Sequence, residues 1–256
     1  MQLERRVFAG IAAVTVFGYA ILASAGSVPD ESCGLGMPPG SPGFVEFEAR
    51  QAAQAERDGF LRVCEANLAR YEIVAGLHPL GQVMAGLAFA PVELAGTPFA
   101  KLTSLGGMAE SVTDVKSRLY RSFRLSSGRT VTLFEHDMSA DGSQSYRNPK
   151  DEQERINGLP ARLVVMQASS GKAVSNLSWK EGRRSYELWM DANVTLEHLR
   201  PQLFALAASL PVSVPARLHE PEGSPFVLGP DGFPHEPPPA TLSDEVVRGI
   251  VNEKKR

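Results

Sequence analysis

Glu135, His136 and Asp137 stand in succession and put two carboxylates around an imidazole. Those groups suit general acid–base work or part of a metal site. Consecutive strand residues face opposite ways, so the three need further residues to converge on one substrate. A reaction centred here would make His136 the base of a hydrolase. His219-Glu220-Pro221 and His235-Glu236-Pro237 repeat a short pattern that suits weak transition-metal binding or a solvated linker equally well. The sequence has no Gly-x-Ser-x-Gly elbow, His-Glu-x-x-His helix, phosphate-binding loop or dinucleotide fingerprint. We therefore assign no catalytic residue, metal ligand or cofactor from sequence.

Two further pairs invite a role. Trp179 and Trp189 fall on neighbouring predicted strands. With Leu199 and Leu203 of the following helix they could line a ligand groove, or they could be core residues in cross-strand pairs. Cys33 and Cys64 are the only cysteines. In an oxidising compartment an even pair suggests a disulfide closing a loop of about 30 residues and contributing about 3 kcal/mol. The alternative is two free thiols, with Cys64 buried on a helix face.

The compartment follows from the N-terminus. Arg5 and Arg6 precede an uncharged apolar run from Val7 to Leu22, and Ala23-Ser24-Ala25 supplies the small residues of a cleavage site before Gly26. Residues 1–25 read as a signal peptide, or as an N-terminal anchor spanning residues 7–25 if left uncleaved. Glu31 and Ser32 rule out a lipobox at Cys33. The expectation is a periplasmic or extracytoplasmic protein that meets the membrane only through that anchor. The net charge of −3 over 256 residues provides no basic field, which disfavours nucleic acid as a partner.

The elements that must position these residues read as follows. Residues 26–43 form a Gly/Pro leader. Residues 44–75 are a helical segment in which Phe60, Cys64, Leu68 and Tyr71 recur at helical spacing; Gly59 weakens it by about 1 kcal/mol relative to Ala and also suits a break between two shorter helices. Residues 76–211 hold an antiparallel sheet and a helix. Within them, Leu87 to Leu94 reads as a strand and Gly106-Gly107 as a turn. RLYRSFRL (118–125) and TVTLFE (130–135) alternate around a Ser-Ser-Gly-Arg turn, giving a hairpin. After a polar loop over 137–155, strands resume at 161–168, 173–180 and 184–190, with Lys180-Glu181-Gly182-Arg183 a tight turn. Asn193 or Thr195 then caps a helix carrying Leu196, Leu199, Leu203, Leu206 and Leu210, kinked or restarted at Pro201 and stopped by Pro211. Residues 212–256 form a Pro-rich tail with a short terminal helix. The expected fold is α+β: an antiparallel β-meander of five or more strands, covered by a C-terminal helix and accompanied by an N-terminal helix.

Ile156-Asn157-Gly158, Leu177-Ser178-Trp179, Tyr186-Glu187-Leu188 and Leu206-Ala207-Ala208-Ser209-Leu210 mark a Gly-led strand, a Trp-ending strand, an aromatic strand and a closing Ala/Leu helix. In this pattern residues 156–210 resemble a bacterial domain family of unknown function, found in exported proteins and outside the membrane in some anti-sigma factors. The resemblance implies a small antiparallel sheet with a helix, and neither catalytic residues nor a cofactor. With only about six residues before the apolar segment, the expectation is that no cytoplasmic part binds a sigma factor. The expected function is a non-enzymatic exported domain that binds a protein, peptide or envelope component. A carrier of a small apolar ligand and a hydrolase centred on His136 are the alternatives.

Overall fold

The computed structural model describes residues 40–213 except 113, 146 and 148, together with 227–228 and 234–235. The leading 25 residues, Cys33, His219 and most of the Pro-rich tail lie outside the described residues. The protein is α+β, built on a mostly antiparallel eight-stranded sheet. Its strands are β1 (Leu61–Arg62), β2 (Thr103–Val112), β3 (Val115–Arg124), β4 (Thr130–Asp137), β5 (Glu154–Ile156), β6 (Leu159–Gln167), β7 (Ala173–Glu181) and β8 (Arg184–Met190).

The spatial order is β1-β6-β7-β8-β4-β3-β2, with β5 also pairing β6. The sheet is thus two three-stranded meanders, β2-β3-β4 and β6-β7-β8, fused along β4 and β8. Residues 138–153 carry the chain from the middle of the sheet to its far side, and this interrupts the single meander expected from sequence. Only β1 pairs in parallel, through Leu61 with Met166 and Arg62 with Gln167. Beyond Ser213, Val227–Leu228 and Pro234–His235 pair antiparallel as a small ribbon within the stretch read as an extended tail.

The helical reading of residues 44–75 is corrected at Gly59. Helix α1 (Phe44–Asp58) ends there because Gly59 adopts φ 76°, and its N–H closes on Ala55 C=O at 2.8 Å. The chain then enters β1 and a 3-10 helix, Glu65–Tyr71, so Leu68 and Tyr71 are buried at its three-residue period. The helix expected from Thr195 begins later. Asn193 Oδ1 accepts from the N–H of Thr195 and of Leu196, His198 has φ 56°, and helix α4 runs Arg200–Ala208 with Pro201 in its first turn. Leu196 consequently points to solvent, 55 % exposed, while Leu203, Leu206 and Ala207 enter the core.

The two sheet faces bury different cores. One carries Val131, Leu133, Leu177, Trp179, Tyr186 and Leu188, packed with Val92, Phe99 and α4 residues. The other carries Met166, Val174 and Trp189 under Val63, Leu68 and Tyr71. Gly106-Gly107 lies inside β2, at a register shift, and is not a turn. A Cβ on Gly106 would sit 2.6 Å from His78 O, so glycine lets the 77–80 segment bridge onto the strand, where His78 pairs with Gly107.

Candidate functional site

The Glu135-His136-Asp137 triplet divides between the faces, as strand alternation dictates. Glu135 and Asp137 point into the larger core with Arg121 of β3 and Arg184 of β8. Glu135, Asp137 and Arg184 are all 0 % exposed. Glu135 accepts from Arg121 Nη2 and, at 3.2 Å, from Arg184 Nη1. Arg184 Nη2 donates to Asp137 Oδ2 at 2.9 Å, and its guanidinium lies 4.5 Å over the Phe89 ring. Two cations and two anions balance, which offsets the desolvation that isolated buried charges would suffer.

This network explains why Leu87 to Leu94 is not a strand. The N–H of Val92 donates to Glu135 Oε2 at 2.9 Å, Val92 C=O accepts from Arg121 Nη2 at 3.0 Å, and Ala90 C=O accepts from Arg184. The charged side chains thus satisfy backbone groups that a ladder partner would otherwise satisfy. The segment crosses the face of the sheet instead of joining its edge. Glu135 is committed to holding it, Asp137 to Arg184 and to the Ser139 N–H and hydroxyl, and both carboxylates are buried.

His136 is on the opposite face, near the end of β4. Its Nε2 meets Asp141 Oδ2 at 2.8 Å and Ser143 Oγ at 3.2 Å. Asp141 belongs to a four-residue helix, α3 (Met138–Asp141), and also accepts from Ser117 Oγ and from Ser143 N–H. Burial opposes the Asp141 charge, but hydrogen bonds from Ser117, Ser143 and His136 outweigh it and hold the carboxyl at about 2. A hydrolytic triad needs the carboxylate and the nucleophile on opposite ring nitrogens. Here both contact the same one, and the cluster fixes α3 against the sheet.

The proposed groove residues do not converge. Trp179, 3 % exposed, stacks on Tyr186 at 5.1 Å beside the fully buried Leu203, on the same face as the half-buried Leu199. Trp189 lies on the other face, edge-on to Tyr71 at 5.1 Å. The register places this beyond adjustment: Trp179 opposes Tyr186, and Asn176 opposes Trp189. Trp179 and Leu203 fill core space, and the open surfaces lie elsewhere.

One opening runs along β6. Strand β5 covers that edge at residues 159–161 and β1 covers it at 166–167. Among the described residues no strand pairs with Arg162–Val165 on that side. The C=O of Gln167 points towards it, accepting from Val63 N–H at 3.1 Å. Alternation then directs the backbone groups of Val165 and Leu163 to the same edge. This stretch forms the floor of a groove of about 560 Å³, with Ala55, Gly59 and Phe60 on one wall and Glu154, Arg162 and Arg200 among its polar lining.

A second opening, of about 260 Å³, lies on the face that carries Trp189. Sequence reading missed both, although the β6 edge shows a signal in Pro160, a residue confined to sheet edges and strand starts. Among the described residues no group of three or more His, Cys, Asp or Glu side chains could hold a metal ion, and no helix is long and apolar enough to cross a membrane. His219 lies outside the described residues, and nothing is described of the His235 side chain. No family model, curated protein or solved structure matches this chain.

Proposed function

We propose that this chain is an exported, non-catalytic binding domain that takes up an extended peptide along the open edge of β6. The observation that carries the reading is the gap at Arg162–Val165, where backbone groups face a groove instead of a partner strand. A peptide laid there completes the ladder between β5 and β1, while Phe60 and Leu163 offer apolar contact for alternate side chains. The reading includes α1 as a wall of that groove and α4 as cover for the face bearing Trp179. It also includes cleavage or anchoring at residues 1–25, a periplasmic setting, and a Cys33–Cys64 cross-link behind β1. An envelope protein presenting an extended segment is the partner this favours. The resemblance of residues 156–210 to an exported domain family agrees with such a role.

The test is a random peptide library panned against the mature domain, followed by amide hydrogen exchange with the selected peptides bound. Support is protection of the Leu163 and Val165 amides, with the β2 edge unchanged. Selected peptides that leave both amides exchanging as in the free protein refute strand addition at this edge.

A further inference from the structure

The face opposite the buried ion network carries a pocket of different chemistry. Tyr71, Tyr120, Phe134 and Trp189 line it, with Glu110 and Glu187 among its polar residues. The rings form a continuous wall. Tyr120 lies 4.7 Å from Phe134 and 5.8 Å from Trp189, and Trp189 meets Tyr71 edge-on. Both carboxylates are fixed in place: Glu110 accepts from Tyr120 OH at 2.8 Å, and Glu187 from Asn176 Nδ2 at 2.8 Å. Arg118 approaches Glu110 at 3.8 Å, and Arg70 is the only cation in the lining itself. The lining is therefore net negative by one charge. A guanidinium of the lining already rests on this wall, since Arg70 lies 4.6 Å over the Tyr71 ring and donates to its hydroxyl.

Trp189 adds an independent observation. It is 7 % exposed, lines the pocket, and its buried Nε1–H has no hydrogen-bond partner among the described residues. The Nε1 atom itself is inaccessible, so the part of the indole that reaches the pocket is its carbon surface.

We propose that this pocket binds a small organic ammonium ion of the choline type. The aromatic faces attract the cation through their quadrupoles and the two carboxylates supply the balancing charge. The pocket has the volume of one such head group, whether free in solution or at the end of a lipid.

The protein has only two tryptophans, so its indole N–H resonances provide the assay. Titration of the full mature domain with choline chloride should move the Trp189 signal saturably and leave that of Trp179, on the other face, in place. Glu187→Gln keeps an acceptor for Asn176 and removes one charge, and should weaken binding about tenfold with an unchanged melt. Glu110→Gln provides a second, independent variant with the same expectation. A response to phosphatidylcholine vesicles but not to choline assigns the head group to a lipid, and a response to choline assigns it to the free ion. Two results overturn the proposal: no Trp189 shift with either probe, or equal binding of the neutral isostere 3,3-dimethylbutan-1-ol, which would make the site merely apolar.

Discussion

Glu135→Gln is the substitution that most directly examines the buried network. The side chain keeps its shape and loses its charge, leaving Arg184 with Asp137 and the buried Arg121 without its carboxylate. Removing one member of a buried pair costs about 3–5 kcal/mol, because the remaining charge is stranded. In a domain of this size each kcal/mol shifts Tm by about 2–4 °C, so the melt should fall by roughly 10 °C. Urea unfolding should show a lower midpoint at unchanged slope. A local readout accompanies the global one: the Val92 amide, bonded to Glu135 Oε2, should exchange faster than its neighbours in the core strands. Adding Arg121→Met leaves one guanidinium facing one carboxylate, and should recover part of the loss. A cost below about 1 kcal/mol, the value of an exposed ion pair, would refute the claim that these charges hold the 89–92 segment on the sheet.

Gly106→Ala should destabilise by about 2 kcal/mol and free residues 77–80 to proteolysis, since its Cβ would meet His78 O at 2.6 Å; a melt and a limited digest check this. The Asp141 carboxyl, held at about 2 against 3.8 for the free residue, gives stability that is complete above about pH 4 and lost as pH falls towards 2. Wild type should therefore exceed Asp141→Asn by about 2 kcal/mol near neutral pH, with the two converging in acid; parallel curves would exclude this origin. The proposed Cys33–Cys64 link predicts a mass gain of two hydrogen atoms when a thiol reductant converts it to two thiols, and a loss of about 3 kcal/mol, both read from the same sample before and after reductant.

The strands from Val115 onward were legible because each alternates over a half-buried surface and each hairpin carries its own turn residues. The stretch before them was not. Between Leu87 and Phe99 the apolar residues follow neither period, because their backbone is satisfied by side chains that lie 29 to 94 positions away in sequence. A trace of this existed: Arg121 falls between Leu119 and Phe123 on the apolar phase of β3, and Glu135 follows Val131 and Leu133 on that of β4. A charge in phase with core residues on two adjacent strands announces a buried pair. The separation of the tryptophans was also readable. A two-residue turn at Gly182-Arg183 pairs Glu181 with Arg184, hence Trp179 with Tyr186, which puts Trp189 in the other phase. The helical reading past Gly59 failed for a different reason. The spacing of Phe60, Cys64, Leu68 and Tyr71 fits an α-helix numerically, but those residues belong to an entry loop, a strand end and a 3-10 turn that happen to share the interval.

The two openings follow from how unequally the faces are covered. The face bearing Trp179 receives the 89–102 segment, oriented by Glu135, Arg121 and Arg184. The face bearing Trp189 receives chiefly the short 3-10 segment, which reaches Tyr71 and leaves Tyr120 and Phe134 half-exposed over β3 and β4. Half-covered aromatic surface forgoes burial of about 25 cal/mol per Å² that a longer cover would have gained. The β6 edge stands in the same relation to the sheet: β5 and β1 meet it from either end and stop short of each other. Both sites are thus places where a strand or cover is missing from an otherwise closed design. The groove would be completed by backbone and the pocket by a cation, so their occupants should bind independently. Saturating one site should leave the affinity of the other unchanged, because the two linings share no residue.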